Sequence, residues 1–365
     1  MEENFNNKIS RLELENFTCF AKADMDFSSG INVFIGENGT GKTHILKVLN
    51  SFAHHFPAEP RVLDGDFQMS TSSAPSITQS DCLSESFKIF NANLLRKHVF
   101  SYNIKVEFEK NINVNFNFIK NTTGTSFKPT LTYSDLKMWW KKLSPLFIPP
   151  SEMLSFKKGF VESYEKRENN FDVTYYRLAK KLNAQPLKNK ALQEAEILIK
   201  ELENRVNIKI EDKNDQFYLK FEDGLEIQAV LAADGIKKLA QMIYLIQNGS
   251  LNKDTILFWD EPETNLNPKY IKIVAKFLQV LAKNGVQIFV ATHDYLLTYL
   301  LSLSAEYPKK DTPPMRFFSL SKGENGTEIE FADTMNGIKN NSILEEYAAY
   351  SDLTLATAME SLNEI

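Results

Sequence analysis

The chain has 365 residues, 43% of them hydrophobic and 24% charged, and its 42 Lys and Arg against 47 Asp and Glu leave a net charge of −5. This is the composition of a soluble globular chain, one large domain with insertions or two modest ones, and it excludes wholesale disorder and a generally basic nucleic-acid binder. Two cysteines without paired spacing, Cys19 and Cys82, exclude a disulfide framework and a zinc site and fit a reducing cytoplasm.

The opening MEENFNNKIS is acidic and polar, unlike a signal peptide, and no apolar run approaches the roughly 20 residues that span a bilayer, so no membrane partner is expected. Residues 9–17, ISRLELENF, alternate like a strand, and INVFI (31–35) is a short apolar strand. It runs into Gly36-Glu-Asn-Gly-Thr-Gly-Lys-Thr43, which satisfies G-x-x-x-x-G-K-[ST]. In such a loop, glycines let backbone N–H groups turn onto phosphate oxygens, and the N-terminus of the next helix favours the anion. That helix is expected from His44 to Phe52, with Ile45, Leu46, Val48, Leu49 and Phe52 as its apolar residues. Gly36, Asn38, Gly39, Gly41, Lys42, Thr43 and His44 are therefore the expected nucleotide site. Lys42 would reach the β- and γ-phosphates, and the Thr43 hydroxyl would help hold Mg²⁺.

Residues 57–86, rich in Pro, Ser, Thr and Asp, read as a surface loop. YNIKVEFE (102–109) and INVNFNFI (112–119) alternate with period two around Lys110-Asn111, which predicts a β-hairpin. From about 134 to 205 the pattern is helical, with Ala191, Leu192, Ala195, Leu198, Ile199 and Leu202 at helical spacing. Residues 134–190 carry 12 Lys and Arg against 6 Asp and Glu, interleaved with Trp139, Trp140, Tyr164, Tyr175 and Tyr176. That mixture could track nucleic acid, or it could be a solvated helical face over a packed core.

VNIKIE and QFYLKF predict two strands around 212–215, followed by a helix at about 235–247. TILFW (255–259) is an apolar strand ending in Asp260 and Glu261, and VQIFVAT (286–292) is another, ending at His293; Lys269–Lys283 between them is an amphipathic helix. RFFSL and EIEF flank Gly323–Gly326, and a helix follows from about 342. Leu344, Tyr347, Ala348, Leu353 and Leu355 are its possible anchors, on its own domain or on a partner. There is no internal repeat. Phosphoryl transfer needs positioning and charge more than covalent help. Asp260 is thus the expected Mg²⁺ ligand with Thr43, Glu261 the residue that polarises the attacking water, and His293 a γ-phosphate contact 32 residues further on.

The order of these motifs (phosphate loop, long insertion, a signature helix, DEPETNLNP, then THD) resembles the ATP-binding-cassette ATPases of the SMC, Rad50, RecF and OLD kind. Hexameric AAA+ unfoldases have a different layout. The resemblance covers roughly 1–50 and 225–335. It implies an α/β P-loop fold of the SMC/Rad50-head type, with an antiparallel β-lobe and a helical insertion. The expected boundaries are an N-terminal ATPase lobe at 1–133, the insertion at 134–205, a C-terminal lobe at 206–335 and a final helix at 336–365.

In such families ATP is sandwiched between two subunits, and a signature segment of one faces the ATP of the other. AVLAADGIKKLAQM (229–242) matches that segment, with Ala233, Asp234, Gly235 and Lys237 as expected in-trans contacts and Asn267 in the cross-dimer loop. Ala233 stands where the family often has serine, and Thr18 where a basic residue usually follows "NF". The family's Mg²⁺-sensing glutamine has no readable counterpart; Gln68 and Gln79 both lie in the polar loop, and neither has a motif around it.

Only 72 residues follow His293, without a strand-anchored acidic cluster, so no self-contained nuclease of the OLD kind is expected. The insertion is too short for an SMC or Rad50 arm. What the resemblance implies is a compact, slow, regulatory ATPase, a homodimer or higher homo-oligomer. It is most like the ATPase subunits of bacterial anti-phage or toxin–antitoxin systems (Septu-type, PARIS-type) that hold a separate nuclease or toxin effector. The alternative is a RecF-like DNA-binding repair ATPase.

Overall fold

The computed structural model describes residues 8–55, 101–108, 112–121, 124–133 and 144–363. The loop at 57–86, with Gln68, Gln79 and Cys82, and Trp139 and Trp140 lie outside them.

Three sheets organise the described residues. The central one has six strands: β3 (Ile31–Gly36), β7 (Ser144–Ile148), β11 (Thr255–Asp260), β12 (Gln287–Ala291), β13 (Met315–Gly323) and β14 (Gly326–Ala332). Their order is β14-β13-β3-β12-β11-β7. All neighbours pair in parallel except the β13–β14 hairpin. A second, antiparallel sheet has the order β2-β1-β4-β5-β6, from β1 (Ile9–Phe17), β2 (Phe20–Asp26), β4 (Ser101–Phe108), β5 (Ile112–Asn121) and β6 (Gly124–Tyr133). The third is a three-stranded meander of β8 (Ile208–Lys213), β9 (Gln216–Phe221) and β10 (Glu226–Gln228).

The central strands are apolar on both faces because both faces are covered, as parallel sheets require. Period-two alternation divides their side chains between two cores. Val33, Ile35, Leu257, Trp259, Ile288, Val290 and Phe317 point to one side. There they meet α5 (Asp234–Gln247), α6 (Pro268–Lys283) and α7 (Tyr295–Glu306). Phe34, Ile256, Phe258, Phe289, Ala291 and Phe318 point to the other side, against α1 (Lys42–His55) and the inner faces of β1, β2 and β4. Phe27 packs edge-on to Phe34, Phe289 and Phe318 in that second core.

Strands β2, β6, β7 and β10 and helix α7 have no counterpart in the expected pattern. β6 extends the antiparallel sheet beyond the hairpin. Ser144–Ile148, inside the stretch expected to be helical, is the edge strand β7, in register with β11 from Ser144 opposite Thr255 to Ile148 opposite Trp259. A three-residue apolar run, Leu146–Ile148 after Pro145 and before Pro149-Pro150, is too short for a helix, and sheet pairing decides its state. The helices of the insertion follow it: α2 (Lys157–Glu165), α3 (Val173–Leu182) and α4 (Asn189–Val206). Asp172 caps α3, accepting from Thr174 N at 2.8 Å, and Asn207 ends α4 at φ 57°, in the left-handed conformation asparagine tolerates.

The tyrosines described in this basic stretch pack on aromatic neighbours. Tyr164 stacks on Tyr176 at 4.6 Å and Tyr175 lies 5.0 Å from Phe171. Lys157 is buried against Asp212, Lys47 of α1 pairs with Asp172 at 2.7 Å, and burial lowers the Lys181 amine. Lys166, Arg167, Lys180, Lys188 and Lys190 remain exposed. The last helix, α8 (Ser342–Asn363), touches the body near its start, where Tyr347 stacks on Tyr295 at 4.4 Å. Leu344, Ala348, Leu353, Leu355 and Met359 are exposed.

Gln287 locks β12 to the second sheet: its amide accepts from Ile9 N at 2.9 Å and donates to Ile9 O at 2.8 Å and Ser28 O at 3.0 Å. The side chain is 1% exposed. Gln287→Leu should cost about 2–4 kcal/mol, since it strands three buried backbone groups. The urea unfolding midpoint measures that loss.

Candidate nucleotide site

Parallel register places three strand ends at one level. Asp260 pairs with Ala291 and Ala291 with Phe34, so the loop after β3, the carboxylates after β11 and the THD segment after β12 leave the sheet side by side. Ligands of open parallel sheets bind beyond such carboxyl ends.

The loop between β3 and α1 keeps its shape through its glycines. Gly41 has φ 96°, and a Cβ there would lie 2.5 Å from Cys19 Sγ and 2.6 Å from the Phe20 ring. Gly36, at φ 142°, would place a Cβ 2.1 Å from Leu320 O. Gly39 has φ 80° with open space around it, and Asn38 beside it is exposed. The Lys42 ammonium folds back on the loop, donating to Gly36 O at 2.6 Å and Glu37 O at 2.8 Å. Burial lowers its pKa, and the carboxylates of Glu261, Asp260, Glu263 and Glu37 oppose that effect. His44 Nδ1 lies 3.1 Å from Thr18 Oγ1, and burial, then Lys47, lowers the imidazole. Thr18 thus touches the loop helix through His44.

Thr43 Oγ1 donates to Asp260 at 2.9 Å across 217 residues of sequence. Asp260 is 3% exposed, and burial pushes its carboxyl up to about 6, with Thr43 opposing and Glu261 adding to the shift. A hydroxyl and a buried carboxylate are the hard oxygen donors Mg²⁺ takes beside phosphate and water, so the pair fits that ion. Glu261 is in the left-handed region at φ 47°. Its N–H donates to Ala291 O at 2.8 Å, its carboxylate accepts from Thr264 Oγ1 at 3.1 Å and lies 3.6 Å from His293 Nδ1. The structure therefore brings the phosphate loop, Asp260, Glu261 and His293 together at one edge.

The signature segment packs against the loop that follows Glu261. α5 starts at the exposed Ala233 and Asp234. Ala233 makes no side-chain cap bond, which leaves first-turn N–H groups open to another acceptor. Gly235 is buried, and a Cβ there would lie 2.6 Å from Asn265 O. Lys237 differs from its expected role: its ammonium is buried within its own subunit. It pairs with Asp234 at 2.8 Å and Glu152 at 2.9 Å and donates to Ser155 Oγ at 3.0 Å. Three partners in the same chain hold it away from a facing subunit. Asn267 is exposed and caps α6, accepting from Lys269 N at 3.0 Å.

Two residues of this site were not singled out by sequence reasoning. Glu263 is 7% exposed; it accepts from Thr292 Oγ1 at 2.7 Å and His293 N at 3.1 Å, and lies 3.5 Å from His293 Nδ1. Burial raises its carboxyl, and its contacts fix the segment that carries His293. Lys238 is 1% exposed and donates to Glu261 O at 3.1 Å. Its spacing of four and seven from Met242 and Leu245 placed it on the buried face of α5, a signal legible in the helix pattern.

A family model described as "AAA domain, putative AbiEii toxin, Type IV TA system" matches residues 31–298. The DNA double-strand break repair Rad50 ATPase of Thermococcus kodakarensis is 31% identical over 170 residues, 44% of this chain and 17% of that protein. The DNA replication and repair protein RecF of Streptococcus suis is 49% identical over 39 residues, 11% of each. The chain thus spans less than a fifth of the Rad50 relative and about a tenth of RecF. Among solved structures, the Pyrococcus furiosus Smc head bound to the C-terminal domain of ScpA aligns with a TM-score of 0.50 at 12% identity, over 95% of this chain and 100% of that one. An SmcHead bound to the C-winged helix domain of ScpA gives 0.50 at 13% identity, over 90% and 98%. The shared feature is the fold: the mixed α/β P-loop fold of ABC-type ATPase heads.

Asp260 gives a stability prediction for the protein free of nucleotide and metal. A carboxyl whose folded pKa is raised binds more protons folded than unfolded, so its contribution is present below about pH 4 and lost as pH rises through about 6. In a chelating buffer, Asp260→Asn should raise stability by on the order of 2 kcal/mol at pH 7.5, with the gain vanishing near pH 4. Thermal melts across that range measure it.

Proposed function

Because this chain belongs to the AAA domain, putative AbiEii toxin family, within the SMC, Rad50 and RecF group of ATPases, we propose that it binds and hydrolyses ATP and uses that cycle to control a separate effector protein. The observation that carries the ATPase reading is the meeting of the phosphate loop, Asp260, Glu261 and His293 at the ends of β3, β11 and β12.

On this reading Gly36, Asn38, Gly39, Gly41 and Thr43 surround the phosphates with backbone N–H groups, and Lys42 exchanges the carbonyls of Gly36 and Glu37 for phosphate oxygens. His44 supports the loop from α1. Thr43 and Asp260 would hold Mg²⁺, which would supply charge neutralisation on the phosphates. Glu261 orients a water toward the γ-phosphorus; the bond from the water oxygen forms as the bond to the bridging oxygen breaks, and the water proton passes to the carboxylate. His293, between Glu261 and Glu263, contacts the γ-phosphate.

The open start of α5 at Ala233–Asp234, exposed and without a side-chain cap, supports a head-to-tail pair in which that helix end faces the partner's nucleotide. Asn267 lies in the loop at the same interface. Slow turnover suits a switch, and the family description, which names a Type IV TA system, is in keeping with a toxin–antitoxin setting; an anti-phage role of the Septu or PARIS kind is carried by the resemblance of the DEPETNLNP and AADGIKKL motifs alone. α8 supports a protein partner: it exposes Leu344, Tyr347, Leu353, Leu355 and Met359 and carries Glu345, Glu346, Asp352 and Glu360 with no Lys or Arg. An effector with an apolar groove and a basic rim would match it. Among the described residues, no helix is long and apolar enough to cross a membrane.

A second reading, a DNA-binding repair ATPase, is supported by the names of the Rad50 and RecF relatives and by the exposed cations of the insertion. The two part in one measurement. A DNA-dependent enzyme accelerates with DNA, and the effect falls steeply with salt and with removal of Lys188 and Lys190. An effector scaffold shows little response to DNA and co-purifies with a protein encoded at its locus in stoichiometric amount.

Glu261→Gln should keep ATP affinity, lower kcat by about a hundredfold or more and stabilise the ATP-bound dimer. Turnover assays and light scattering measure both, and wild-type turnover would remove the base assignment. Lys42→Ala should weaken ATP binding by about tenfold or more; titration with a fluorescent ATP analogue measures it, and wild-type affinity would overturn the phosphate-loop assignment.

A further inference from the structure

α5 carries two adjacent lysines with different tasks. Lys237 holds the outer end of the helix through Asp234, Glu152 and Ser155. Lys238 turns inward and donates to Glu261 O at 3.1 Å. That carbonyl also accepts from Thr264 N at 3.2 Å, and Glu261 N donates to Ala291 O at 2.8 Å. A glutamate at φ 47° persists only where its surroundings hold it. Two of these three bonds come from its own turn and the neighbouring strand; the Lys238 bond comes from the signature helix.

The same helix is clamped to the loop after Glu261 one turn earlier. Gly235 approaches Asn265 O so closely that a Cβ would lie 2.6 Å away, and Asp234 accepts from Asn265 Nδ2 at 3.3 Å. A buried ammonium is costly, and an apolar side chain of the same length would not bear that cost. Here burial pulls the amine down to about 8 even with Glu263, Glu261, Asp234 and Asp260 opposing the shift. A cation at this place is therefore explained by what it holds.

We propose that Lys238 is a positioning residue: it fixes the backbone of Glu261 and joins it to the Ala233–Gly235 end of α5. The inference rests on the hydrolytic reading of Glu261 and adds a connection that reading lacks. In a head-to-tail pair, the helix end that meets the partner's nucleotide is tied through Lys238 to the base of its own subunit. Each subunit's base is then set by whether its own α5 has been engaged, which couples the two sites.

The test compares wild type, Lys238→Met, Lys238→Arg and Glu261→Gln in the full chain. Lys238→Met keeps the length of the side chain and removes the donor. It should lower kcat by about tenfold or more while leaving the affinity for mant-ATP within about twofold and the melting temperature undiminished. Lys238→Arg, which keeps a donor, should restore kcat to within about threefold of wild type. In the Glu261→Gln background, Lys238→Met should leave ATP-dependent self-association unchanged, which separates positioning from closure.

Wild-type kcat in Lys238→Met would overturn the proposal. So would equal loss in Lys238→Met and Lys238→Arg with lowered melting, since Lys238 would then serve packing alone, and so would loss of self-association. If Glu261→Gln itself turns over like wild type, the hydrolytic reading fails. If Glu261→Gln is inactive and Lys238→Met is active, the positioning role alone fails.

Discussion

The parallel pairing of β3, β12 and β11 is the constraint on which the rest of this structure depends. Parallel neighbours in register end together, so three loops distant in sequence leave the sheet at one edge. The Thr43–Asp260 hydrogen bond, at 2.9 Å, is the local expression of that geometry. It could not form if β12 were shifted by one residue, because the whole alternation of Ile288, Phe289 and Val290 between the two cores would invert. The apolar packing on both faces therefore sets the position of polar groups at the edge.

That edge concentrates buried charge. Asp260 and Glu263 are almost fully covered, and burial raises both carboxyls. Lys42 and Lys238 are covered as well, and burial lowers both amines. The two signs offset one another across short distances, and hydrogen bonds from Thr43, Thr292 and His293 N satisfy part of the carboxylates. One oxygen of Glu263 keeps no hydrogen-bond partner. Such an arrangement is expensive for an empty protein and preorganised for an anion with its counter-ion. Stability is given up at the place where nucleotide would return it.

The insertion belongs to the core as well as to the surface. It begins with β7, which completes the central sheet beside β11, and its helices and the β8–β9 hairpin enter the same core as α5. Tyr164, Tyr175 and Tyr176 pack within it, so the basic–aromatic pattern there is in part a packing pattern. The contrast with α8 is plain: its apolar residues remain in solvent beyond the first turns, where the body offers no surface to receive them.

Much of this was legible in the sequence. The phosphate loop, the TILFWDEPE and VQIFVATHD strand ends and the helix at 234–247 each follow from local pattern, because glycine content, period-two alternation and period-3.6 spacing act within a few residues. The SMC-head fold class followed from the order of those motifs. β7 did not, since a short apolar run takes its state from the strand it pairs with. Lys237 and Lys238 look alike as a dipeptide, yet one closes an ion-pair cluster at the helix end and the other reaches Glu261. Glu263 stands in plain view in DEPE, but its grip on the His293 segment appears only once β11 and β12 lie side by side. What the sequence determined by itself was which residues could bind phosphate and form the strands, because those are properties of short segments. Which buried lysine meets which carbonyl was decided by tertiary structure alone, because a hydrogen bond across 23 residues depends on where the sheet sets each end.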